Sequence, residues 1–265
     1  MPLNILVCVK RVPDTSENEI QIAPGGSNIE RDELVYSINE PDNYAVEEAI
    51  QIVAKVGGEV TVVTIGDEED EEVLRREMAM GAKHGVLLSD DAFVGSDGKG
   101  IATILKAFIE KGQYNLILTG IEAEAGGGQV GGMLAALLDY PFASLVNGIE
   151  VISDKTLKIN REVEGGNREM SEIDLPCVLS IQTGINEPRY VGMRGIRQVT
   201  SIPIPKFAAQ DLGLAAGVVG PRAAKVKRMD YFVPVVGDGA RMLQGKTEQM
   251  VEEVFELLKA KGGVK

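Results

Sequence analysis

The chain has 265 residues, of which 44% are hydrophobic and 25% are charged, and this balance excludes disordered and fibrous proteins. Its net charge of −13 argues against nucleic acid or an anionic membrane surface as a partner, because both repel an acidic protein. No apolar run approaches the roughly 20 residues of a membrane span, and the first residues read as a strand rather than as a signal peptide. We therefore expect no direct membrane insertion and a location in the cytoplasm or an equivalent reducing compartment.

Apolar runs of strand length alternate with amphipathic segments of helix length along residues 4–120. The predicted strands are NILVCV, EVTVVTIG, GVLLS and YNLILTG, and the helices between them contain AVEEAI, EEDEEV and GIATIL. Such alternation is typical of βαβ units, in which each helix crosses over a parallel sheet. The sequence therefore predicts an α/β fold, with a mostly parallel sheet and helices on both faces.

The last of these strands leads into a glycine-rich loop, GIEAEAGGGQVGG, at residues 120–132. In open parallel sheets, ligands bind at the carboxyl ends of the strands, and bare glycine backbone lets N–H groups approach an anion at the start of a helix. Gly126, Gly127, Gly128 and Gln129 therefore fit a phosphate cradle, although a glycine run is also an ordinary way to turn the chain. The loop lacks the GxxxxGK[ST] pattern of a P-loop, and a dinucleotide fingerprint would follow the first strand, where this chain has KRVPDT.

The second half of the chain predicts β-hairpins followed by an extended arm. Between about residues 149 and 180, alternating strands and two turn signals indicate hairpins added to the edge of the sheet. Residues 203–245 are rich in Pro, Gly and Ala and lack periodicity, which is typical of a functional arm or a linker. A last amphipathic helix is predicted over residues 247–260. Its apolar face would either return to its own domain or reach a partner protein, and we favour the partner.

No nucleophile, acid–base pair or metal cluster is apparent in the sequence. Cys8 and Cys177 lie far apart in apolar contexts without metal-ligand spacing, so we expect neither a disulfide nor a zinc site. His84 is the only histidine, and its position after a predicted helix indicates a surface residue.

Several motifs distributed along the chain resemble one protein family. They are VCVKRVPDT, AVEEAI, LRREMAMGA, REVEGG and, most specifically, LPCVLSIQTGINEPRY. Together they resemble the β subunit of electron transfer flavoprotein over nearly the whole chain. The resemblance implies a fold similar to adenine nucleotide α-hydrolases and universal stress proteins, with a nucleotide-binding domain over residues 1–200. It also implies a hairpin extension at about 149–180, a recognition loop at about 186–198, and a C-terminal arm and helix over 201–265 that contact an α subunit.

The resemblance also implies cofactors and partners. In such heterodimers FAD is held mainly by the α subunit, and the β subunit binds AMP or, in electron-bifurcating relatives, a second FAD that accepts a hydride from NADH. The family carries electrons from acyl-CoA dehydrogenases and similar flavoenzymes to a quinone reductase or a comparable acceptor, so the chain is expected to be an electron carrier subunit rather than an enzyme. We favour the AMP form because REVEGG resembles the non-bifurcating group, although VPDT and MRGI resemble the other group.

By the same resemblance, the nucleotide contacts four separate parts of the chain. They are Cys8 after the first strand, the turn Asn39, Glu40, Pro41 and Asp42, Ile65 after the second strand, and the loop residues Ala123, Gly126, Gly127, Gly128, Gln129, Val130 and Gly131. The loop departs from the family upstream of Gln129, where relatives typically carry aspartates and this chain has glutamates and three glycines. More of the phosphate binding is then expected from backbone N–H groups and the helix N-terminus. The turn also departs, because it reads NEPD where a proline directly after the asparagine is usual.

Met193 occupies the position of an apolar anchor that relatives insert into the partner dehydrogenase, and an unbranched methionine suits an adaptable contact. The neighbours expected to join this contact are Arg194, Ile196 and Arg197. Lysines that often follow the anchor are here Gln198 and Thr200. Glu162 in REVEGG matches a family glutamate near the subunit and domain interface, and a solvated hairpin carboxylate is the alternative.

Two hypotheses from other classes remain open. A stand-alone adenine-nucleotide sensor similar to universal stress proteins predicts a self-sufficient homodimer, and it leaves the C-terminal arm without a purpose. An ATP pyrophosphatase of related fold needs an SGGxDS-type loop after the first strand, and VKRVPDT lacks that pattern.

Overall fold

The computed structural model describes residues 2–123, 127–235, 237 and 239–264. The chain divides into two compact units. The first consists of Met1–Gln21 and Glu30–Met229, and the second consists of Ile22–Ile29 and Asp230–Lys265. Residues 201–229, which were expected to be part of the C-terminal arm, belong to the first unit.

The first unit is built on a large, mostly parallel sheet. Its strands are β1 (Leu3–Cys8), β2 (Arg11–Pro13), β3 (Tyr36–Ile38), β4 (Gly58–Ile65), β5 (His84–Leu88), β6 (Leu116–Gly120), β7 (Phe142–Val151), β8 (Thr156–Val163), β9 (Asn167–Asp174), β10 (Cys177–Ile181) and β11 (Lys206–Phe207). Among the described residues, nine of these strands form one sheet in the order β11-β5-β4-β1-β6-β10-β7-β8-β9, while β2 and β3 pair separately. The pairings from β11 to β7 are parallel, and β8 pairs antiparallel with both β7 and β9.

Helices cover both faces of this sheet, as predicted. They are α1 (Glu40–Val56), α2 (Glu71–Met80), α3 (Gly98–Ile109), α4 (Val130–Leu138) and α5 (Met193–Val199). Because side chains alternate between the faces of a strand, Ile5 and Val7 of β1 enter one core and Leu6 enters the other. The first core receives side chains of α1, α2 and α5, and the second receives side chains of α3 and α4. The α/β fold predicted from the sequence is therefore confirmed.

Hairpins extend the sheet at one edge, where β7, β8 and β9 follow one another in space as in sequence. The expectation for residues 177–180 was wrong, because this segment is not part of the edge hairpins. It belongs to β10, which lies between β6 and β7 in the parallel part of the sheet. Every residue of β10 is buried, as expected for a strand covered on both faces.

The order of the strands creates a crevice beside β1. The chain first places β4 and β5 on one side of β1 and then returns to the other side with β6. At such a reversal the connections leave in opposite directions, so the carboxyl ends of β1 and β6 remain uncovered between them.

The second unit contains one helix, α6 (Thr247–Ala260), among its described residues. Its bounds agree with the predicted helix. Within the same unit, the backbone N–H of Tyr231 donates to the carbonyl oxygen of Gly26 at 2.7 Å. The apolar side chains of α6 stay exposed, at 42–62% for Val251, Val254, Phe255, Leu257 and Leu258.

Candidate functional site

A cavity of about 950 Å³ lies in the first unit where the carboxyl ends of β1, β4 and β6 meet. This volume falls within the range of small-molecule and cofactor sites. The lining is formed by residues 8–10, Asp42, 63–65, 95–98, Ile101, Leu105, 119–123, 127–131, Pro221, Ala224 and 226–228. The cavity therefore occupies the crevice that the strand order creates.

Asp42 ties the two sides of this crevice together. Its Oδ2 accepts the backbone N–H of Lys10 at 3.0 Å, just after β1, and its Oδ1 accepts the N–H of Gly120 at 2.8 Å, at the end of β6. Burial raises the pKa of this carboxyl to about 7, although hydrogen bonds from Asn39, Gly120 and Lys10 favour the ionised form. One side chain from the first turn of α1 thus holds the ends of two strands.

Glycines let the backbone approach closely where α4 begins. A Cβ at Gly131 would lie 2.4 Å from Oγ of Ser180 and 3.0 Å from Oγ1 of Thr119, so a larger residue would not fit. Gly128 has a φ of +63°, and a Cβ there would lie 2.9 Å from the carbonyl oxygen of Ile121. The first N–H groups of a helix have no partner within the helix, so the start of α4 provides donors beside the cavity.

The structure brings most of the predicted nucleotide contacts together. Those that line the cavity are Cys8, Asp42, Ile65, Ala123, Gly127, Gly128, Gln129, Val130 and Gly131. Asn39, Glu40 and Pro41 do not line it, and Gly126 lies outside the described residues. Asn39 instead donates from Nδ2 to the carbonyl oxygen of Glu122 at 2.9 Å, which fixes the start of the glycine loop.

The predicted turn at residues 39–42 is the beginning of a helix. Asn39 is the N-cap of α1, and Pro41 lies in the first turn, where a missing N–H costs no hydrogen bond. The NEPD sequence therefore acts through helix geometry, which places the Asp42 carboxylate between β1 and β6.

Two parts of the cavity wall were not anticipated from the sequence. One is the loop of residues 95–98 between β5 and α3, and the other is the segment of residues 221–228. The pattern GSDGKG at residues 95–100 carried a usable signal, because a glycine-rich turn with an Asp N-cap follows a strand that ends at the same edge of the sheet. The segment of residues 221–228 has no hydrophobic periodicity, so its sequence gives no indication of where it lies in the fold.

The described cysteines carry free thiols, and one of them borders the cavity. Burial and the neighbouring Asp42 raise the pKa of Cys8, and burial raises that of Cys177 to about 12. Neither thiol is therefore activated as a nucleophile. His84 is exposed, as predicted.

The residues predicted to contact a partner lie away from this cavity, on α5 and β8. Met193, Arg194, Ile196 and Arg197 form a short helix rather than the expected loop, with Met193 exposed at 70%. Glu162 lies exposed on β8, opposite Arg168 of β9.

The segment that precedes α5 is anchored on α1 by buried carboxylates. Arg189 donates from Nε to Oε2 of Glu47 at 2.7 Å and from Nη2 to Oε1 at 2.9 Å. Burial opposes ionisation of Glu47, but these hydrogen bonds outweigh it and lower the pKa of the carboxyl. Asn186 donates to Oε2 of Glu48 at 3.0 Å. The NEPRY motif thus fixes the entry into α5, a role that its sequence alone did not reveal.

The described residues contain no group of three or more His, Cys, Asp and Glu side chains placed to hold a metal ion. Among the described helices, none combines the length and apolar character that crossing a membrane requires.

Comparison with known proteins agrees with this architecture. A family model described as "Electron transfer flavoprotein domain" matches residues 27–212. The chain is 34% identical over 264 residues to the electron transfer flavoprotein subunit beta of Bacillus subtilis (strain 168), covering 99% of this chain and 100% of the relative. It is 33% identical over 260 residues to the protein of the same name from Methylophilus methylotrophus, covering 97% and 98%. It is also 36% identical over 248 residues to the caffeyl-CoA reductase-Etf complex subunit CarD of Acetobacterium woodii, covering 92% and 93%.

Proposed function

Because the chain belongs to the electron transfer flavoprotein β-subunit family, whose role is electron transfer, we propose that it forms a heterodimer with an α subunit and holds a structural AMP. The heterodimer carries electrons from acyl-CoA dehydrogenase-type flavoenzymes to a quinone reductase or a similar acceptor. FAD, held mainly by the α subunit and shared at the interface, supplies the redox chemistry when bound.

The observation that carries the nucleotide assignment is the glycine cradle at the start of α4, in a crevice between β1 and β6. The close approach of Gly131 to Ser180 and Thr119 leaves no room for a side chain, and Gly127, Gly128 and Gly131 line the cavity with backbone atoms alone. Backbone N–H groups at a helix N-terminus suit a phosphate. Ile101 and Leu105 of α3 add an apolar wall that suits a purine ring.

The residues of this chain then have distinct tasks. Gly127, Gly128 and the first residues of α4 hold the phosphate, and Asp42 keeps the ends of β1 and β6 at a fixed separation. Lys10 and Lys227, which both line the cavity, add positive charge on an otherwise acidic protein. None of these tasks requires a bond to form or break, in keeping with an electron carrier subunit whose nucleotide is structural.

A second FAD in place of AMP is the alternative. One relative is named as a subunit of a caffeyl-CoA reductase-Etf complex, and another, 32% identical over 268 residues, as an acryloyl-CoA reductase electron transfer subunit. The cavity also continues from the glycine loop along residues 95–98 to residues 221–228, which offers length for a dinucleotide. In that form the chain would itself bind a redox-active group, with NADH as the hydride donor.

The test is to express the chain together with its α subunit, denature the purified complex and count the nucleotides by chromatography. One FAD and one AMP per heterodimer are expected, because one subunit holds the flavin and the other the structural nucleotide. Two FAD and no AMP would select the alternative. A stable, nucleotide-bound homodimer that ignores the α subunit would overturn the electron-transfer proposal in favour of a stand-alone sensor.

A further inference from the structure

Residues 220–228, which we name the strap, run along one wall of the cavity. Pro221, Ala224, Val226 and Lys227 of the strap are among the lining residues. The strap begins at Gly220, whose backbone N–H donates to Oγ of Ser96 at 2.8 Å. A Cβ at Gly220 would lie 2.6 Å from the carbonyl oxygen of Ala92, so this end of the strap lies directly against the loop that precedes α3.

Toward its other end, the strap is bonded to the side chain of Asp97. Its Oδ2 accepts the backbone N–H of Lys225 at 2.6 Å and that of Val226 at 3.2 Å. Its Oδ1 accepts the N–H of Gly100 at 2.9 Å and thereby caps α3. The backbone N–H groups of Gly100 and Lys225 lower the pKa of this carboxyl, so it stays ionised at neutral pH.

Burial contributes little to holding this end of the strap. Lys225, Val226 and Lys227 are exposed, with Val226 at 66%. Hydrogen bonds that involve an ionised acceptor are stronger than neutral ones. The two bonds to Asp97 therefore hold the backbone of Lys225 and Val226 against the cavity wall.

We propose that the strap closes the cavity over a bound adenine nucleotide, and that Asp97 is the positioning residue that holds it closed. The proposal rests on the proposed function, since it requires a nucleotide in this cavity. The strap also carries Lys227 to the cavity, where its ammonium group attracts the phosphate of the nucleotide. Asp97 also lines the cavity, but in this scheme it acts through the backbone of the strap, and its effect is on the rate at which the nucleotide leaves.

The chain offers a matched control for Asp97. Asp90 has the same arrangement, because its Oδ1 accepts the N–H of Ala92 at 2.8 Å in a short helical turn and its Oδ2 accepts the N–H of Ala209 at 2.9 Å. Asp90 does not line the cavity. Serine is the informative replacement at both positions, because it keeps one acceptor for the cap and loses the second oxygen.

The experiment compares wild-type, D97S and D90S heterodimers. The resident nucleotide is identified first. If it is AMP, the protein is loaded with ¹⁴C-AMP and its displacement by unlabelled AMP is followed. If it is FAD, its release is followed by the recovery of flavin fluorescence. We expect D97S to release the nucleotide roughly tenfold faster, the effect of about one lost charge-assisted hydrogen bond. D90S should release it at the wild-type rate, and both variants should unfold at similar temperatures. S96A, which removes the acceptor for Gly220, should also accelerate release.

The contribution of Lys227 to nucleotide binding can be measured separately from that of Asp97. K227Q should weaken AMP binding and reduce its dependence on salt concentration, because a screened charge interaction is lost. K99Q, at an exposed position two residues after Asp97 that does not line the cavity, should leave the affinity and its salt dependence unchanged.

The possible failures are distinguishable. A wild-type heterodimer that holds neither AMP nor FAD in this chain would overturn the proposed function and the strap together. A wild-type heterodimer with bound nucleotide, but with equal release rates in wild-type, D97S and S96A, would overturn the strap alone. Equal acceleration in D97S and D90S would also overturn it, because the effect would then come from general loosening of the fold.

Discussion

Asp42 shows how one side chain can set the width of a binding crevice. Its carboxylate bridges Lys10 after β1 and Gly120 at the end of β6, the two strands between which the topology reverses. A Cβ at Gly120 would lie 2.4 Å from Oδ1 of Asp42, so glycine is required for this approach. The pair Asp42 and Gly120 therefore belongs to the architecture of the crevice itself.

Another buried carboxylate, Glu77 of α2, has a different character. It is fully buried, and neither of its oxygens has a hydrogen-bond partner among the described residues. Burial is the main cause that raises its pKa to about 8. The side chain is therefore protonated in the folded protein at neutral pH, while the same group in the unfolded chain is ionised.

We predict that Glu77 makes the protein less stable as the pH rises. The folded state keeps a proton that the unfolded state has lost, so the free energy of unfolding should fall between about pH 4.5 and pH 8 and level off above. E77Q should remove this part of the dependence, roughly 2 kcal/mol or more over that range. Chemical denaturation at pH 5 and pH 8.5 measures it.

The control for this prediction is E72Q, which changes an exposed glutamate of the same helix. It should keep the wild-type dependence, to which the buried Asp42 also contributes with the same sign. An E77Q variant whose stability falls with pH as steeply as that of the wild type would contradict the assignment.

At the scale of elements, α5 is a short helix held from two sides. Arg189 and Asn186 fix its entry on α1, and Nη1 of Arg75 donates to the carbonyl oxygen of Val199 at 2.9 Å at its end. A short helix gains little stability from its own hydrogen bonds, so these contacts set its position. Met193 is consequently presented at a defined place on the surface.

We predict that M193A slows electron delivery from the donor flavoenzyme several-fold without releasing flavin, because an anchoring side chain at the centre of a contact contributes a large part of its free energy. Stopped-flow reduction of the heterodimer by the donor measures the rate. M170A is the matched control, because Met170 on β9 is exposed at 68%, close to the 70% of Met193. Equal donor kinetics in both variants and the wild type would remove the docking role of α5.

The sequence predicted those elements whose pattern is local. α6 has the predicted bounds because its apolar spacing and flanking glycines are unambiguous, and the alternation of strands and helices led directly to the fold. The position of β10 was missed because a buried apolar run does not say which strands lie beside it. The strap was missed for a related reason, since its backbone is held by Ser96 and Asp97, far away in the chain.

The candidate site was predicted in part, from two different kinds of sequence evidence. The glycine loop follows from residue types alone, whereas Cys8, Asp42 and Ile65 came from a family resemblance that the comparisons confirm. Asp42 was expected to contact a nucleotide and it lines the cavity, but its geometry depends on the meeting of two strand ends with a helix start. The meeting of these three chain segments is a property of the tertiary structure, so a local sequence pattern cannot predict it.

At the scale of the whole molecule, the two units differ in what they leave exposed. The first unit encloses the cavity, while α6 of the second leaves Val251, Val254, Phe255 and Leu258 exposed at 42–62%. An exposed apolar face of this kind marks an interaction surface. It suits the proposed contact with the α subunit.

We predict that replacing Phe255 and Leu258 by aspartate prevents stable association with the α subunit, because two charges would have to enter an apolar interface. Size-exclusion chromatography with light scattering measures the assembly, and circular dichroism checks that the chain is folded. E256Q, on the same helix, should assemble normally. A double variant that still forms the heterodimer would place the interface elsewhere.

The insertion of β10 between β6 and β7 has a consequence for synthesis on the ribosome. After β1, each of the strands β4, β5 and β6 emerges when a strand that it pairs with has already been made. By contrast, β7, β8 and β9 emerge before β10, the strand that joins them to β6. Until residue 181 has left the exit tunnel, the nascent chain therefore carries an open flank on β6 and a separate three-stranded meander. The two parts of the sheet join when β10 enters this gap, and the cavity gains its last wall only after residue 228 has followed.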